Sequence, residues 1–227
     1  MSTSHPLDNP IWEALTTSQA PFAETYNLAR RFHPDVTSLT GLPEPSEEAY
    51  QSLASLVSPG ERAALLLEAP PKPPSGWTII ETVPLVQMVH DDPNKIAPSV
   101  LQFEELNERD AARMLALAEL TKPGPFGRRT HEVGVYLGVY RDGDLVAMAG
   151  ERLRLPGYTE ISAICTHPEH SGRGYATALT SSLVSRIRDR NETPFLHVRP
   201  DNRRAVELYE RLGFRERTVL HLAVLRK

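Results

Sequence analysis

Two glycines bracket an arginine at Gly172, Arg173 and Gly174, between an apolar run and a long amphipathic segment. Glycines allow a tight turn and a close approach of the backbone to a ligand, because they carry no side chain. A helix that starts here would present unpaired N–H groups and the positive end of its dipole to an anion. Arg173 adds a formal positive charge. The segment therefore predicts a phosphate or pyrophosphate site, although a bare GxG is about as typical of a strand-to-helix turn without a ligand.

The elements that must position this loop are predicted from periodicity and turn residues. Residues 159–166 favour a strand and residues 174–190 an amphipathic helix, so the loop joins a strand to a helix. Further predictions are strands at 100–106, 133–140, 145–153, 195–198 and 217–225, and helices at 107–120 and 202–212, the last stopped by Gly213. This order predicts an α/β fold, a mixed sheet with helices on its faces. A Rossmann dinucleotide site is disfavoured, because GxGxxG is absent and the strand falls mid-chain.

Residues before 95 follow a different pattern. Helices are predicted at 21–32 and 46–57, and the second opens with Ser46 as N-cap and two glutamates. An apolar stretch at 63–67 is followed by a proline-rich run and a strand predicted at 77–89. Residues 91–98 are the predicted linker. We therefore expect two domains, 1–94 and 95–227.

The composition of the 227-residue chain restricts its partners. A net charge of -4 and 40% hydrophobic residues are ordinary values that point to neither a nucleic-acid nor a membrane partner. No apolar run approaches ~18 residues and the N-terminus is polar, so a cytoplasmic protein is expected. Its one cysteine, Cys165, excludes a CxxC metal site, and His167 and His170 lack a ligand spacing, so no metal is expected.

Two motifs together carry a family resemblance. His-Pro-Glu-His-Ser-Gly-Arg-Gly-Tyr-Ala at 167–176, followed by Leu-Tyr-Glu-Arg-Leu-Gly-Phe at 208–214, resembles the GNAT superfamily of acyl-CoA-dependent N-acyltransferases. Two motifs at matching separation and in the matching order of elements are more specific than either alone. The resemblance covers roughly residues 100–220. It looks closest to a bacterial branch related to glycine N-acyltransferases, which implies that 1–94 is a degenerate GNAT-like half covering the acceptor side.

The resemblance implies an acetyl-CoA site. The family loop reads Gln/Arg-x-x-Gly-x-Gly/Ala, and Ser171 departs from it. A hydroxyl can donate to a phosphate but carries no charge, so one contact should be weaker. The residues implied are Ile164, Cys165 and Thr166 along the pantetheine arm, Ser171, Gly172, Arg173, Gly174, Tyr175, Ala176 and Thr177 around the pyrophosphate, and Asn202 at the pantetheine amides.

The resemblance also implies catalytic roles. Attack by an amine on a thioester needs a base for the amine and an acid for the leaving thiolate. Tyr209 stands where the family keeps its general acid, but it also fits a plain core tyrosine. Glu160 is the expected base, with Glu151 as the rival and a solvated carboxylate as the alternative. Cys165 as a nucleophile is disfavoured, because a thiol in an apolar strand is usually inert.

The loop at 122–130 is the expected acceptor side. Phe126, Arg128 and Arg129 could face a carboxylate-bearing amine, although the segment is equally typical of an ordinary proline-rich loop. The predicted function is transfer of acetyl from acetyl-CoA to a small amine by direct attack in a ternary complex. The alternatives are a non-enzymatic acyl-CoA sensor or interaction protein and a protein N-acetyltransferase. A homodimer is compatible with each of these functions.

Overall fold

The computed structural model describes residues 5–92, 95 and 101–227. Its strands are Ala23–Tyr26 (β1), Ala29–Phe32 (β2), Thr40–Gly41 (β3), Arg62–Leu67 (β4), Thr78–His90 (β5), Glu104–Leu106 (β6), Tyr136–Arg141 (β7), Asp144–Leu155 (β8), Tyr158–Thr166 (β9), Thr193–Val198 (β10) and Phe214–Arg226 (β11). Its α-helices are Pro10–Thr16 (α1), Glu47–Leu56 (α2), Ala111–Thr121 (α3), Tyr175–Asp189 (α4) and Arg203–Arg211 (α5).

The described strands form two sheets. Strands β1-β2-β3 make a small antiparallel sheet, and the other eight lie in the order β4-β11-β5-β10-β9-β8-β7-β6. Within the large sheet β9 and β10 run parallel, and the neighbouring pairs are antiparallel. The predicted mixed sheet with helices on its faces is therefore confirmed.

Helices cover both faces of the large sheet. The apolar side of α4, with Leu179, Leu183 and Ile187, packs on one face together with Ile161 and Leu196. Phe195, next to Leu196, points to the other face because side chains alternate along a strand. Cys165 also points there, because the register shift at Ala163 changes the alternation that starts at Ile161. There α3 packs around Cys165, and α1 packs around Phe195.

The large sheet crosses the predicted domain boundary. Strand β5 lies between β10 and β11 and pairs antiparallel with both, while β4 pairs with the outer side of β11. Residues 1–94 thus contribute two strands to the sheet of residues 95–227. That residues 1–94 represent a degenerate half-copy of the fold stays a prediction.

Elements with strong local signals lie where they were predicted. Helix α2 matches the helix predicted at 46–57, and the Ser46 hydroxyl accepts a hydrogen bond from the Ala49 N–H at 3.3 Å. Asn107 caps the turn before α3, with its side chain accepting from the Arg109 N–H at 3.0 Å. Gly213, at φ 94°, ends the segment after α5 in the left-handed conformation expected of it.

Two predicted elements differ from the structure. The helix predicted at 21–32 is wrong, because β1 and β2 form a hairpin there, turned at Asn27 with φ 42°. Asn tolerates the left-handed region, and its turn signal overrides the helical spacing. The strand predicted at 100–106 is only the three residues of β6. Of the predicted linker at 91–98, only 91, 92 and 95 lie within the described residues. No helix of the described part of the chain is long and apolar enough to cross a membrane.

Candidate active site

The loop between β9 and α4 presents a row of unpaired donors. Gly172 and Gly174 have φ of 77° and 78°, and Gly174 is the N-cap of α4 with no side-chain cap. The first helical bond runs from the Ala178 N–H to the Gly174 carbonyl at 3.0 Å. The N–H groups of residues 172–177 consequently have no acceptor among the described residues. Such a row at a helix start favours an anion.

The side chains of this loop contribute unequally. Ser171 and Arg173 are exposed, as a role at a ligand requires, whereas Tyr175 is buried in the core below α4. Only the backbone of Tyr175 therefore faces the loop's open side. Arg141 places its guanidinium 5.4 Å from the centre of the Tyr175 ring, which adds a second cation near the loop. No pattern along the chain singles out Arg141, since it lies in a hairpin 34 residues before Tyr175.

Strands β9 and β10 separate just before this loop. They pair over three positions, the last being Glu160 with Phe195; beyond it β9 pairs with β8 and β10 pairs with β5. The His167 N–H donates to the Val146 carbonyl at 2.7 Å, so residues 167 and 165 point their backbone groups at β8. By alternation, the backbone groups of Ile164 and Thr166 face the gap towards β10.

The three residues expected along the pantetheine arm differ in the direction of their backbone groups. Ile164 and Thr166 offer their backbone to the gap, as the prediction requires. Cys165 does not, because its backbone groups point at β8, like those of His167. The expected backbone role of Cys165 is therefore unsupported, while those of its two neighbours stay predictions. Asn202 is exposed and caps α5, with its side-chain oxygen accepting from the Ala205 N–H at 3.3 Å.

A β-bulge interrupts β9 inside the gap. Ala163 has φ 52°, and the register with β8 shifts between the pairs Met148–Cys165 and Gly150–Ser162. A bulge re-aims the backbone groups around it and is common next to functional sites. Alanine rarely adopts a positive φ, so nothing in the sequence marked this position.

Tyr209 lies on α5, the helix that follows β10, and packs in the same core cluster as α4. Its side chain is 8% exposed and makes an edge contact with Phe214, with ring centroids 6.0 Å apart. Burial raises the pKa of Tyr209 to about 12, so the phenol keeps its proton at neutral pH. No hydrogen bond engages its hydroxyl within the described residues. A tyrosine bonded to a core carbonyl is therefore not what the structure contains, and the hydroxyl is available to donate.

The Glu160 carboxylate is hydrogen-bonded to two neighbours. The Arg152 Nε and Nη2 atoms donate to its carboxylate at 2.8 and 2.7 Å, and His197 Nδ1 lies 2.7 Å from Oε1. Burial alone would raise the pKa of this 0% exposed group, but the charge and hydrogen bonds of Arg152, with the bond to His197, hold it at about 2. A carboxylate of that pKa is a weak base. The geometry therefore gives no support to the predicted role of Glu160 as the base.

The rival carboxylate is also engaged. Glu151 is buried and accepts a hydrogen bond at 2.9 Å from Arg190, which follows the last turn of α4. It thus serves the contact between the sheet and α4. Neither carboxylate weighed as the base is free to take a proton from an amine.

The contacts of Glu160 extend into a polar network that sequence reasoning missed. His197 Nε2 lies 3.1 Å from the side-chain amide of Gln87, which also donates to the Leu7 carbonyl at 2.9 Å. Arg217 donates to the Gln87 oxygen at 2.9 Å and so fixes the amide orientation. His197 must then accept at Nε2 and donate from Nδ1 to Glu160. Four strands and the N-terminal segment supply these groups, so no spacing along the chain could reveal them.

Of the remaining candidates, Cys165, Phe126 and Arg129 pack or pair within the protein. Burial raises the pKa of Cys165 to about 11, so its thiol stays protonated and fits a packing role. Arg129 forms two 2.8 Å bonds with Glu132 on the surface, and Arg128 is exposed. Phe126 instead packs its edge on Tyr136, with ring centroids 5.8 Å apart.

Known proteins similar to the chain agree with this architecture. Residues 136–222 match a family model described as FR47-like protein. A structure of a GNAT-family protein from Novosphingobium aromaticivorans DSM 12444 is 36% identical, covers 99% of both chains and has a TM-score of 0.91. A GCN5-related N-acetyltransferase from Kribbella flavida covers 95% of both chains at 16% identity and a TM-score of 0.62, which is a likeness of fold alone. No curated protein matches the chain.

The similarity to the Novosphingobium protein extends over the whole chain, including the N-terminal segment that supplies β4 and β5. It does not identify a branch of the family, so the likeness to glycine N-acyltransferases stays a prediction. Identity of 36% over 99% of both chains, with the same mixed sheet, is enough to assign the family. The chain belongs to the GNAT family of acetyltransferases.

Proposed function

We propose that the protein is an acetyl-CoA-dependent N-acetyltransferase that acylates a small amine by direct attack in a ternary complex. The observation that carries this proposal is the row of unpaired N–H groups at residues 172–177, next to the gap between β9 and β10. The row suits a pyrophosphate, and the gap offers backbone partners to an extended arm that contains amides. Coenzyme A combines these two features in one molecule.

The residues proposed to hold acetyl-CoA follow from that arrangement. The loop from Ser171 to Thr177 binds the pyrophosphate, mainly through backbone N–H groups, with Arg173 adding charge. Ile164 and Thr166 pair with the pantetheine amides across the gap, and Asn202 reaches them from the start of α5. The coenzyme supplies an activated thioester carbonyl, and the bulge at Ala163 lies on the wall of the gap that this carbonyl would reach.

Tyr209 is proposed as the group that donates a proton to the leaving thiolate. Its unengaged hydroxyl and its pKa of about 12 keep it a donor at all working pH values. For the amine, we propose attack by the neutral form, drawn from solution. The proton that its nitrogen loses as the C–S bond breaks and the amide forms passes to solvent water, and Tyr209 regains its proton from solvent. Glu160, held at a pKa of about 2, is a positioning residue for Arg152 in this scheme.

The test is release of free thiol from acetyl-CoA. The purified protein is incubated with acetyl-CoA and a panel of amino acids, alkylamines and short peptides with free N-termini or lysines. Thiol release with small amines supports the proposal. Release with peptides alone would assign a protein acetyltransferase instead. Thermal stabilisation by coenzyme A without thiol release from any amine would favour a sensor.

A further inference from the structure

The hydroxyl of Tyr136 is buried without a partner. Tyr136 is 1% exposed, and its hydroxyl oxygen has no hydrogen bond within the described residues. The ring lies flat on Gly150 of the next strand, where an added Cβ would come within 2.2 Å of the ring. A buried polar group without a partner lowers stability, so its presence calls for a role.

The Arg152 guanidinium lies on the same face of the sheet as the Tyr136 ring, because Tyr136 pairs with Gly150 and Arg152 stands two residues after Gly150 on β8. Arg152 uses Nε and Nη2 for Glu160, and its Nη1 has no hydrogen bond within the described chain. Burial raises the pKa of the Tyr136 hydroxyl, and among its charged neighbours Arg152 opposes that shift most. Its side chain is 13% exposed, so Arg152 retains some access from outside.

The loop that follows α3 covers both donors. A Cβ built on Gly124 would lie 3.8 Å from Arg152 Nη1, and Phe126 makes an edge contact with the Tyr136 ring. The sequence singled out this loop as the acceptor side, but through Arg128 and Arg129, which are exposed. The inward-facing cation beneath the loop is Arg152.

The two donors also lie at the reacting end of the gap. Glu160, which holds Arg152, is the last residue at which β9 pairs with β10. Tyr136 packs in the same cluster as Ala163, the bulge residue within the gap. A molecule held by Tyr136 and Arg152 would therefore lie on the α3 face of the sheet, close to where a thioester would sit.

We propose that the Tyr136 hydroxyl and Arg152 Nη1 form a subsite for a carboxylate on the acceptor amine, so that the acceptor class is amino acids or similar amino carboxylates. This inference rests on the proposed function. Both groups donate, so they match a group that only accepts, and a carboxylate offers two oxygens to two donors. The positive guanidinium also attracts a negative carboxylate. An amine without a carboxylate lacks this attraction.

The test compares Tyr136→Phe with Tyr140→Phe, a matched control on the same strand. The Tyr140 hydroxyl bonds to Asp110 at 2.6 Å and lies outside this subsite. Each variant is assayed with acetyl-CoA and three pairs of acceptors: glycine, alanine and glutamate, each against its α-carboxamide. We expect Tyr136→Phe to raise KM for the carboxylates about tenfold, with kcat and the KM for acetyl-CoA nearly unchanged. The amides and the control variant should show no such change.

Stability supplies a readout that does not need turnover. Removing the unpartnered Tyr136 hydroxyl should leave the melting temperature unchanged or raise it, while Tyr140→Phe should lower it. Unchanged carboxylate KM values in Tyr136→Phe, with thiol release intact, would overturn the subsite and leave the proposed function standing. If the wild-type chain releases no thiol with any amine, the proposed function fails; the subsite then stands only if the carboxylates raise the melting temperature of wild type and not of Tyr136→Phe.

Discussion

At the scale of single residues, the environment of Tyr209 permits the general-acid role proposed for it. Its hydroxyl makes no hydrogen bond within the described residues. Burial raises the pKa of Tyr209 to about 12, so the phenol keeps its proton at neutral pH. Tyr209→Phe should lower kcat by about 10²-fold or more, as loss of a general acid does, while acetyl-CoA still stabilises the protein against heat. Tyr158→Phe, which loses only a 3.2 Å contact with His5, is the control. Full turnover in Tyr209→Phe would exclude the acid role.

The pH dependence of turnover tests whether Glu160 acts as the base. A base of pKa about 2 is already deprotonated throughout the working range, so it adds no inflection above pH 4. If the neutral amine attacks, log kcat/KM should rise with unit slope until the acceptor's own pKa of ~10. The profile should therefore shift with the acceptor when amines of different pKa are compared. A fixed inflection near pH 6–7 with every amine would indicate an enzyme base that this scheme lacks.

The same carboxylate makes a prediction about stability. Its folded pKa of about 2 lies below the reference 4.5, so its contribution to stability is complete above pH 5 and is lost as pH falls from about 4.5 towards 2. Glu160→Gln leaves the mostly buried Arg152 without a counter-ion and should cost about 3–5 kcal/mol at pH 7 in urea unfolding. Glu132→Gln, which breaks an exposed pair, should cost under ~1 kcal/mol. Equal losses for the two variants would contradict the assigned burial.

At the scale of elements, local chemistry decides what a sequence reveals. The caps at Ser46 and Gly213 carry their own signals, and the helices that they bound were predicted. The hairpin at β1 and β2 was missed because one asparagine turn defines it. The Ala163 bulge and the network around Glu160 were missed for a different reason. Both depend on how neighbouring strands meet, which no spacing along the chain records.

The loop between β9 and α4 allows a test of the proposed pyrophosphate site at this scale. Gly174 has φ 78° and nothing within 4 Å of an added Cβ, so Gly174→Ala meets strain but no clash. Gly157 has φ 80° with the same open space, in the turn between β8 and β9. Each alanine variant should lose roughly 1–2 kcal/mol of stability. Only Gly174→Ala should weaken the binding of coenzyme A, measured by calorimetry, because only Gly174 belongs to the loop whose N–H groups are proposed to bind the pyrophosphate. Equal affinities would argue against this loop as the pyrophosphate site.

At the scale of the whole molecule, the N-terminal segment is attached to the site's polar network. The Leu7 carbonyl accepts from Gln87, and Asp8 pairs with Arg217. Gln19 donates to the Arg152 carbonyl at 2.7 Å and accepts from the Arg154 N–H at 3.2 Å, beside the side chains that hold Glu160. The segment thus braces the strand that carries Arg152, which fits the predicted position on the acceptor side.

The sharing of one sheet across residue 94 leads to a prediction about folding. Both strand neighbours of β11, β4 and β5, lie within residues 1–94, and β5 also borders β10. Residues 95–227 produced alone should therefore leave β10 and β11 with unpaired, apolar edges and should aggregate or fail to unfold cooperatively by circular dichroism. Co-expression with residues 1–94 should restore a soluble complex that purifies together and binds coenzyme A. Cooperative unfolding of isolated 95–227 with the stability of the full chain would show instead that the C-terminal part is an independent domain.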